Sequence, residues 1–348
     1  MKTSTNRILT THVGSLPRPE SITTLLRARL SGQTIDEARL AAHVAEAIRE
    51  VVRRQAEVGL DVVSDGEMGK TTFLGYTDER LSGFVPLKAD DPNVPFTNVG
   101  GSWARRIDMR REWRAFREYY QDYLPRAMPP SAPPAVCEGS ISYTGHALLQ
   151  RDLAAFKTAL RGAKVEEAFV PAIAPGMVGR GQNRYYATEE EYVFAIAEAL
   201  KTEYRAIVDA GLILQIDDPG LGETFDMMIP APSLEEYRRM QTRNIDALNH
   251  ALANVPPEQA RIHLCAAQSQ CGARSLSSKP SARHAHALSA SRIKNCFSQL
   301  CAASLHHLRR DAKTLEMLYA LRRDELSAKL RAWKFLLLGE QHACAALG

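Results

Sequence analysis

The chain has 348 residues, 45% of them hydrophobic and 24% charged, with 44 basic against 40 acidic side chains. These proportions argue for a globular protein and against a disordered, collagen-like or disulfide-dense one, and a formal charge of +4 spread over both signs argues against a nucleic-acid partner. No apolar run reaches the ~18 residues of a membrane span, and Lys2, Arg7, Arg18 and Arg27 break up any apolar signal core. The expectation is a cytoplasmic protein without a membrane partner.

In chain order, short runs rich in Val, Ile or Leu occupy residues 8–15, 60–67, 134–142, 167–174, 212–219 and 261–265. Each is bounded by Gly, Pro, Asp or Ser, which is the pattern of buried parallel strands. Between them, residues 35–58, 104–123, 147–162, 188–210 and 233–253 space their apolar positions near 3.6 and read as amphipathic helices. Thr188 before Glu189, Glu190 and Glu191, and Ser233 before Glu235 and Glu236, are helix starts. Gly59 and Gly211 stand where a helix must stop. Repeated strand-helix units predict an α/β fold, most simply a TIM-type (β/α)₈ barrel with six recognisable strands, incomplete at its C-terminal end. A doubly wound sheet is the competing arrangement.

Beyond Cys265 the pattern stops. Residues 266–348 hold no valine and a single isoleucine, Ile293, and residues 259–310 hold no acidic side chain. No buried strand can be drawn through the Ser- and Ala-rich stretch, and a helical pattern follows it. The division expected is therefore a barrel over 1–265 and an atypical tail over 266–348, frameshifted or foreign in origin. An open barrel would expose strand edges, so poor solubility or self-association is expected unless the tail covers them.

Chemistry-bearing residues gather at strand ends, on the side where barrels place their active sites. Asp65 and Glu67 close the second run, and strand alternation would turn both to one face. Asp217 and Asp218 close the fifth. His263 and Cys265 close the sixth, an imidazole and a thiol two residues apart, which is a partial zinc pair or simply a structural Cys beside a capping His. Cys137 and His146 read as structural. The segment from Pro175 to Gly181 reads as a closing or surface loop. The arginines at 105, 106, 110, 111, 114 and 117 read first as a solvated helix face, second as an attractor for an anionic tail.

Four motifs in order carry a resemblance: Thr-Thr-His-Val-Gly-Ser-Leu-Pro-Arg-Pro from Thr10, Gly-Leu-Asp-Val-Val-Ser-Asp-Gly-Glu ending at Glu67, Leu-Gln-Ile-Asp-Asp-Pro from Leu214, and His-Leu-Cys ending at Cys265. Over about residues 5–265 the chain resembles the cobalamin-independent methionine synthase family, in particular its short members like the C-terminal domain, with a barrel of the uroporphyrinogen decarboxylase and methionine synthase type. The resemblance implies methyl transfer from a methyltetrahydrofolate polyglutamate to a thiol such as homocysteine, in methionine biosynthesis, without cobalamin. It implies that Gly14 and Ser15 hold the carboxylate of the thiol substrate, that Glu67 and Asp217 bind its ammonium, and that His263 and Cys265 ligate zinc. No catalytic acid is assigned. Zinc would keep the thiol as its nucleophilic thiolate, and pinning both ends of the amino acid would aim the sulfur.

The chain departs from the family where the third and fourth zinc ligands belong: the windows near 281–291 and near Leu326 hold no acid and no cysteine respectively. Cys271, Cys296, Cys301, His284 and His286 match no zinc spacing. Two further readings follow, an alkyltransferase of the same fold acting on a coenzyme M-type thiol, and an inactive remnant that keeps the substrate half of the site and has lost the metal half.

Overall fold

The computed structural model describes residues 1–2, 6–30, 32–86, 111–121, 135–179, 182–221, 224 and 228–264. In chain order they form α1 (Glu20–Leu30), α2 (Glu37–Glu57), β1 (Val62–Ser64), a 3₁₀ turn (Gly75–Glu79), β2 (Phe84–Pro86), α3 (Arg111–Ala115), β3 (Ala135–Cys137), α4 (His146–Ala159), β4 (Glu167–Ile173), α5 (Pro175–Val178), β5 (Gln182–Asn183), α6 (Glu189–Asp209), β6 (Ile213–Asp217), α7 (Leu234–Ala251), a second 3₁₀ turn (Pro257–Gln259) and β7 (Ala260–His263). Cys265 and the whole tail, with Cys271, His284, His286, Cys296 and Cys301, lie outside the described residues.

The principal sheet is wholly parallel, ordered β1-β4-β6-β7. All five residues of β6 and the last five of β4 are buried. Such runs suit strands covered on both faces, and they explain why the sequence shows apolar blocks there rather than alternation. The parallel α/β character expected from the sequence is present. Among the described residues its main sheet is four strands wide.

Two expected strands behave differently. Residues 8–15 lie along β1 but join it by a single parallel bridge, Thr11 to Val62. Side-chain bonding replaces the ladder: the Asp61 carboxylate accepts the Thr10 N–H at 2.7 Å and its hydroxyl at 3.0 Å, while Thr10 O accepts the N–H groups of both Asp61 and Val62. The third run supplies β3, which is not in the main sheet; β1 pairs directly with β4, Val62 opposite Glu167. β3 instead joins a small sheet between β2 (antiparallel) and β5 (parallel). Gly83, at φ +85°, presents its carbonyl to the N–H groups of Glu138 and Gly139, closing β3 onto β2.

The helices begin where local chemistry starts them. Asp36 caps α2 by accepting the Arg39 N–H, Thr188 caps α6 through the Glu191 N–H, and Ser233 forms a capping box with Glu236 at α7. α2 buries Leu40, Val44, Ala47, Ile48, Val52 and Gln55, one helical stripe. Along the layer α1 packs on α2, α2 on α4, α4 on α6 and α6 on α7. Of the expected helix over 104–123, residues 111–121 are described, with Trp113 buried and Arg114 and Arg117 exposed, as a solvated face requires. No helix among the described residues is long and apolar enough to cross a membrane.

Candidate functional site

The end of β1 is clamped before the site begins. The Gln55 amide donates to Ser64 O at 2.8 Å and accepts the Ser64 N–H at 3.1 Å, tying α2 to the strand. The chain then turns through two left-handed residues, Gly66 at φ +65° and Glu67 at φ +58°. Strand alternation therefore stops at Ser64, and the turn, with the Asp65 carboxylate accepting the Glu67 N–H at 2.9 Å, sets where the two carboxylates stand. A left-handed conformation at a residue with a Cβ costs about 1–2 kcal/mol and is tolerated where surrounding bonds over-determine it.

Those bonds come from residues 14–18. The Leu16 N–H donates to Gly66 O at 3.0 Å, the Arg18 guanidinium to Glu67 O at 2.8 Å, and the Ser15 hydroxyl to the Glu67 carboxylate at 2.7 Å. Gly14 precedes them at φ +89°, a conformation glycine adopts without strain. Ser15 and Glu67, 52 positions apart, are thus in direct contact.

From the sheet side come β6 and β7. Their register sets Gln215 opposite Arg261 and Asp217 opposite His263, a two-by-two arrangement on neighbouring strands. Burial pushes the Asp217 carboxyl up to about 6, against the pull of Lys70 and a hydrogen bond from Gln215, with Glu67 adding to the rise. Burial likewise pushes Asp65 up to about 6, again opposed by Lys70. The His263 imidazole is lowered by burial and by Arg261, and raised by Glu67. Glu67, Asp65, Asp217, Lys70 and His263 therefore share one electrostatic neighbourhood.

Lys70, Arg18, Gln215 and Arg261 were not among the residues singled out from the sequence. Lys70 is buried, its ammonium donating to Pro171 O and lying 4.3 Å from the centre of the Tyr76 ring. Arg18 donates to a backbone carbonyl and Arg261 to the Gln215 amide oxygen. Each of these cations is thus bonded to a neutral oxygen, and among the described residues none of the Asp65, Glu67 and Asp217 carboxylates is in a salt bridge. Buried carboxylates near cations but not bonded to them form a cradle for an additional cationic group. Alternation could have found Gln215 and Arg261, each two residues before a named site residue; nothing local marks Lys70.

Other expectations fare differently. Residues from Pro175 are not a surface loop: Pro175–Val178 is a short helix with all four residues buried, and Gly176 packs so closely on Asn244 that a Cβ would stand 2.7 Å from it. Arg180 and Gly181 lie outside the described residues. Cys137 is buried with its thiol directed at Gly139 O, and the His146 ring meets Tyr143 edge-on, both structural as expected. Among the described residues no group of three or more His, Cys, Asp or Glu side chains is arranged to hold a metal ion. His263 is one donor held toward its neutral form, and by itself it falls short of a zinc centre.

Comparison with known proteins bears on this geometry. Residues 8–121 match the model of the cobalamin-independent synthase catalytic domain. A 5-methyltetrahydropteroyltriglutamate–homocysteine methyltransferase of Thermotoga petrophila is 25% identical over 257 residues, covering 74% of this chain and 29% of that protein. A methionine synthase of Sulfolobus acidocaldarius is 26% identical over 214 residues, 61% of this chain and 52% of that protein. The chain thus spans between about a third and half of the length of these relatives. In structure it shares a fold with a Listeria monocytogenes protein provisionally designated a vitamin-B12-independent methionine synthase, at TM-score 0.52 and 20% identity, covering 78% of this chain and 70% of that one.

Proposed function

We propose that this chain, which resembles the cobalamin-independent methionine synthases, binds an α-amino acid thiol such as homocysteine and directs methyl transfer to its sulfur from a methyltetrahydrofolate. The observation that carries the reading is the convergence of Ser15, Glu67 and Asp217, three residues distant in sequence, around carboxylates to which no cation among the described residues is bonded. An ammonium group supplies the missing charge and the hydrogen-bond donors. Asp217, at about 6, is largely ionised at neutral pH and so ready to accept it. Gly14 and Ser15 stand beside this cradle as the place for the carboxylate end. A coenzyme M-type thiol, which carries a sulfonate and no ammonium, is disfavoured by the same charges.

In this reading residues 1–265 form the barrel of the family and 266–348 a segment of separate origin. Zinc held by His263 and Cys265 belongs to the proposal for the whole chain, where it would supply the thiolate; the roles given to Ser15, Glu67 and Asp217 are those of binding and orientation alone. The absence of an acid at 281–291 and of a cysteine near Leu326 favours the inactive remnant as the second reading. Zinc content of the purified protein, with and without Cys265→Ser, separates them: stoichiometric metal lost in the variant supports the enzyme, and absence of metal in both supports the remnant.

Calorimetric titration tests the binding itself. L-homocysteine and L-methionine are expected to bind, whereas 4-(methylthio)butanoate, which lacks only the ammonium, and 2-mercaptoethanesulfonate are not. Glu67→Gln is expected to weaken methionine at least about tenfold. Equal binding of methionine and its deaminated analogue would overturn the assignment of Glu67 and Asp217.

A further inference from the structure

We infer that Gln215 and Arg261 are positioning residues that act as a relay, fixing the carboxylate of Asp217 while keeping it unpaired for a ligand. The inference rests on the proposed role of Asp217 in holding an ammonium, and adds how the protein preserves that role.

The relay is continuous. The Arg261 Nε donates to Gln215 Oε1 at 2.8 Å, and Gln215 Nε2 donates to Asp217 Oδ1 at 2.8 Å. A guanidinium has donors only, so Gln215 must turn its oxygen toward Arg261 and its NH₂ toward Asp217; the cation fixes the polarity of the amide. Arg261 is itself held from two sides, stacked 3.7 Å from the centre of the Phe169 ring on β4 and reaching Thr11 Oγ1 at 3.4 Å. The Thr11 hydroxyl in turn donates to Val62 O on β1 at 2.9 Å. Four neighbouring strand positions thus brace one carboxylate.

The spacer matters as much as the cation. An arginine bonded directly to Asp217 would satisfy it bidentately and occupy the place of an incoming ammonium. A neutral amide between them passes on orientation, and one hydrogen bond that favours the ionised carboxylate, without closing an ion pair. Gln215 is 2% exposed, so its amide has no solvent to fall back on, and its two bonds define its conformation. Strand alternation places Gln215 beside Asp217 and Arg261 beside His263, and the β6–β7 register brings the two pairs together.

Gln215→Met, close to Gln in volume, and Arg261→Met remove the two links separately. Each is expected to weaken L-methionine about tenfold in calorimetry, and the double variant is expected to lose little more than either alone, because both cut one relay. Thermal midpoints of the same proteins serve as the control for a merely structural role. Losses that simply multiply, or affinity unchanged in both single variants, would overturn the relay. A readout needing no ligand accompanies it: the Gln215 side-chain amide protons are expected to be exchange-protected in NMR spectra of the unaltered protein and to lose that protection in Arg261→Met. Should the unaltered protein bind no methionine, the proposed function fails while the amide protons still decide the relay; protection that survives Arg261→Met refutes it.

Discussion

Two buried acidic clusters adjoin the Tyr76 ring, whose centre lies 4.3 Å from the Lys70 ammonium and 4.9 Å from the Arg80 guanidinium, and they solve the problem of buried charge in opposite ways. Around Arg80 every partner is direct. Its guanidinium meets Asp152 at 2.8 Å and Glu203 at 3.3 Å, Arg151 takes the other oxygen of Asp152 at 2.8 Å, and the Tyr76 and Tyr143 hydroxyls donate to Glu203 at 3.0 and 2.9 Å. Burial alone would lower Arg80, and Glu203 and Asp152 more than reverse it. At the strand ends, by contrast, Asp65, Glu67 and Asp217 lie among cations that are bonded to neutral oxygens. A closed network holds α4 and α6 to the core and leaves nothing for a ligand. An open one costs stability and is retained where something else must complete it.

The largest expected effect breaks the closed cluster. Glu203→Leu leaves Arg80 with half its compensation and two tyrosine hydroxyls without their acceptor, and should cost about 3–5 kcal/mol in urea unfolding. A loss under about 1 kcal/mol would show that this cluster is no more structural than the other.

Next comes the pH dependence of the open cluster. Asp65 titrates at about 6 in the folded protein because burial disfavours its charge, against 3.8 in the unfolded chain. The folded state therefore binds more protons between about pH 4 and 6, so stability falls as pH rises through that window, by on the order of 3 kcal/mol for this group. Asp65→Asn keeps an acceptor for the Glu67 N–H and removes the charge. It should flatten part of the slope and be more stable than the unaltered protein at pH 8, with little difference at pH 4; urea midpoints at both values check the sign.

The smallest effect tests how tightly the closed cluster is walled in. A Cβ on Gly145 would stand 2.5 Å from Arg80 Cβ and 2.9 Å from its Cα, where backbone must give. Gly145→Ala should cost about 1–3 kcal/mol by thermal or chemical unfolding, and methionine affinity should stay within about twofold. A tenfold loss of affinity would mean that the two clusters are coupled through Tyr76.

Much of this arrangement was legible along the chain. The apolar blocks at 167–174 and 212–219 became β4 and β6 within a residue or two, and Thr188 and Ser233 cap helices as their neighbours required. Glu67, Asp217 and His263 were legible as strand-end polar residues, and Ser15 only through the motif around it. Lys70 was invisible because its burial depends on Pro171 and Tyr76, 101 and 6 positions away, and no local pattern distinguishes it from a surface lysine. The direct pairing of β1 with β4 was hidden for a related reason: β3 reads as a strand in either sheet, and only the competition of β2 and β5 for its backbone groups decides which.

Period, capping and turn chemistry act over a few residues, so the sequence by itself determined the strands β1, β3, β4, β6 and β7, the helices α2, α4, α6 and α7, the acidic strand ends and the break in composition after Cys265. Hydrogen bonding across strands, and the burial that lifts Asp65 and Asp217 to about 6, act between segments that meet only on folding. The tertiary structure therefore decided which carboxylates are neutralised by direct partners and which are left open, because the direction in which a cation donates is fixed by what packs around it.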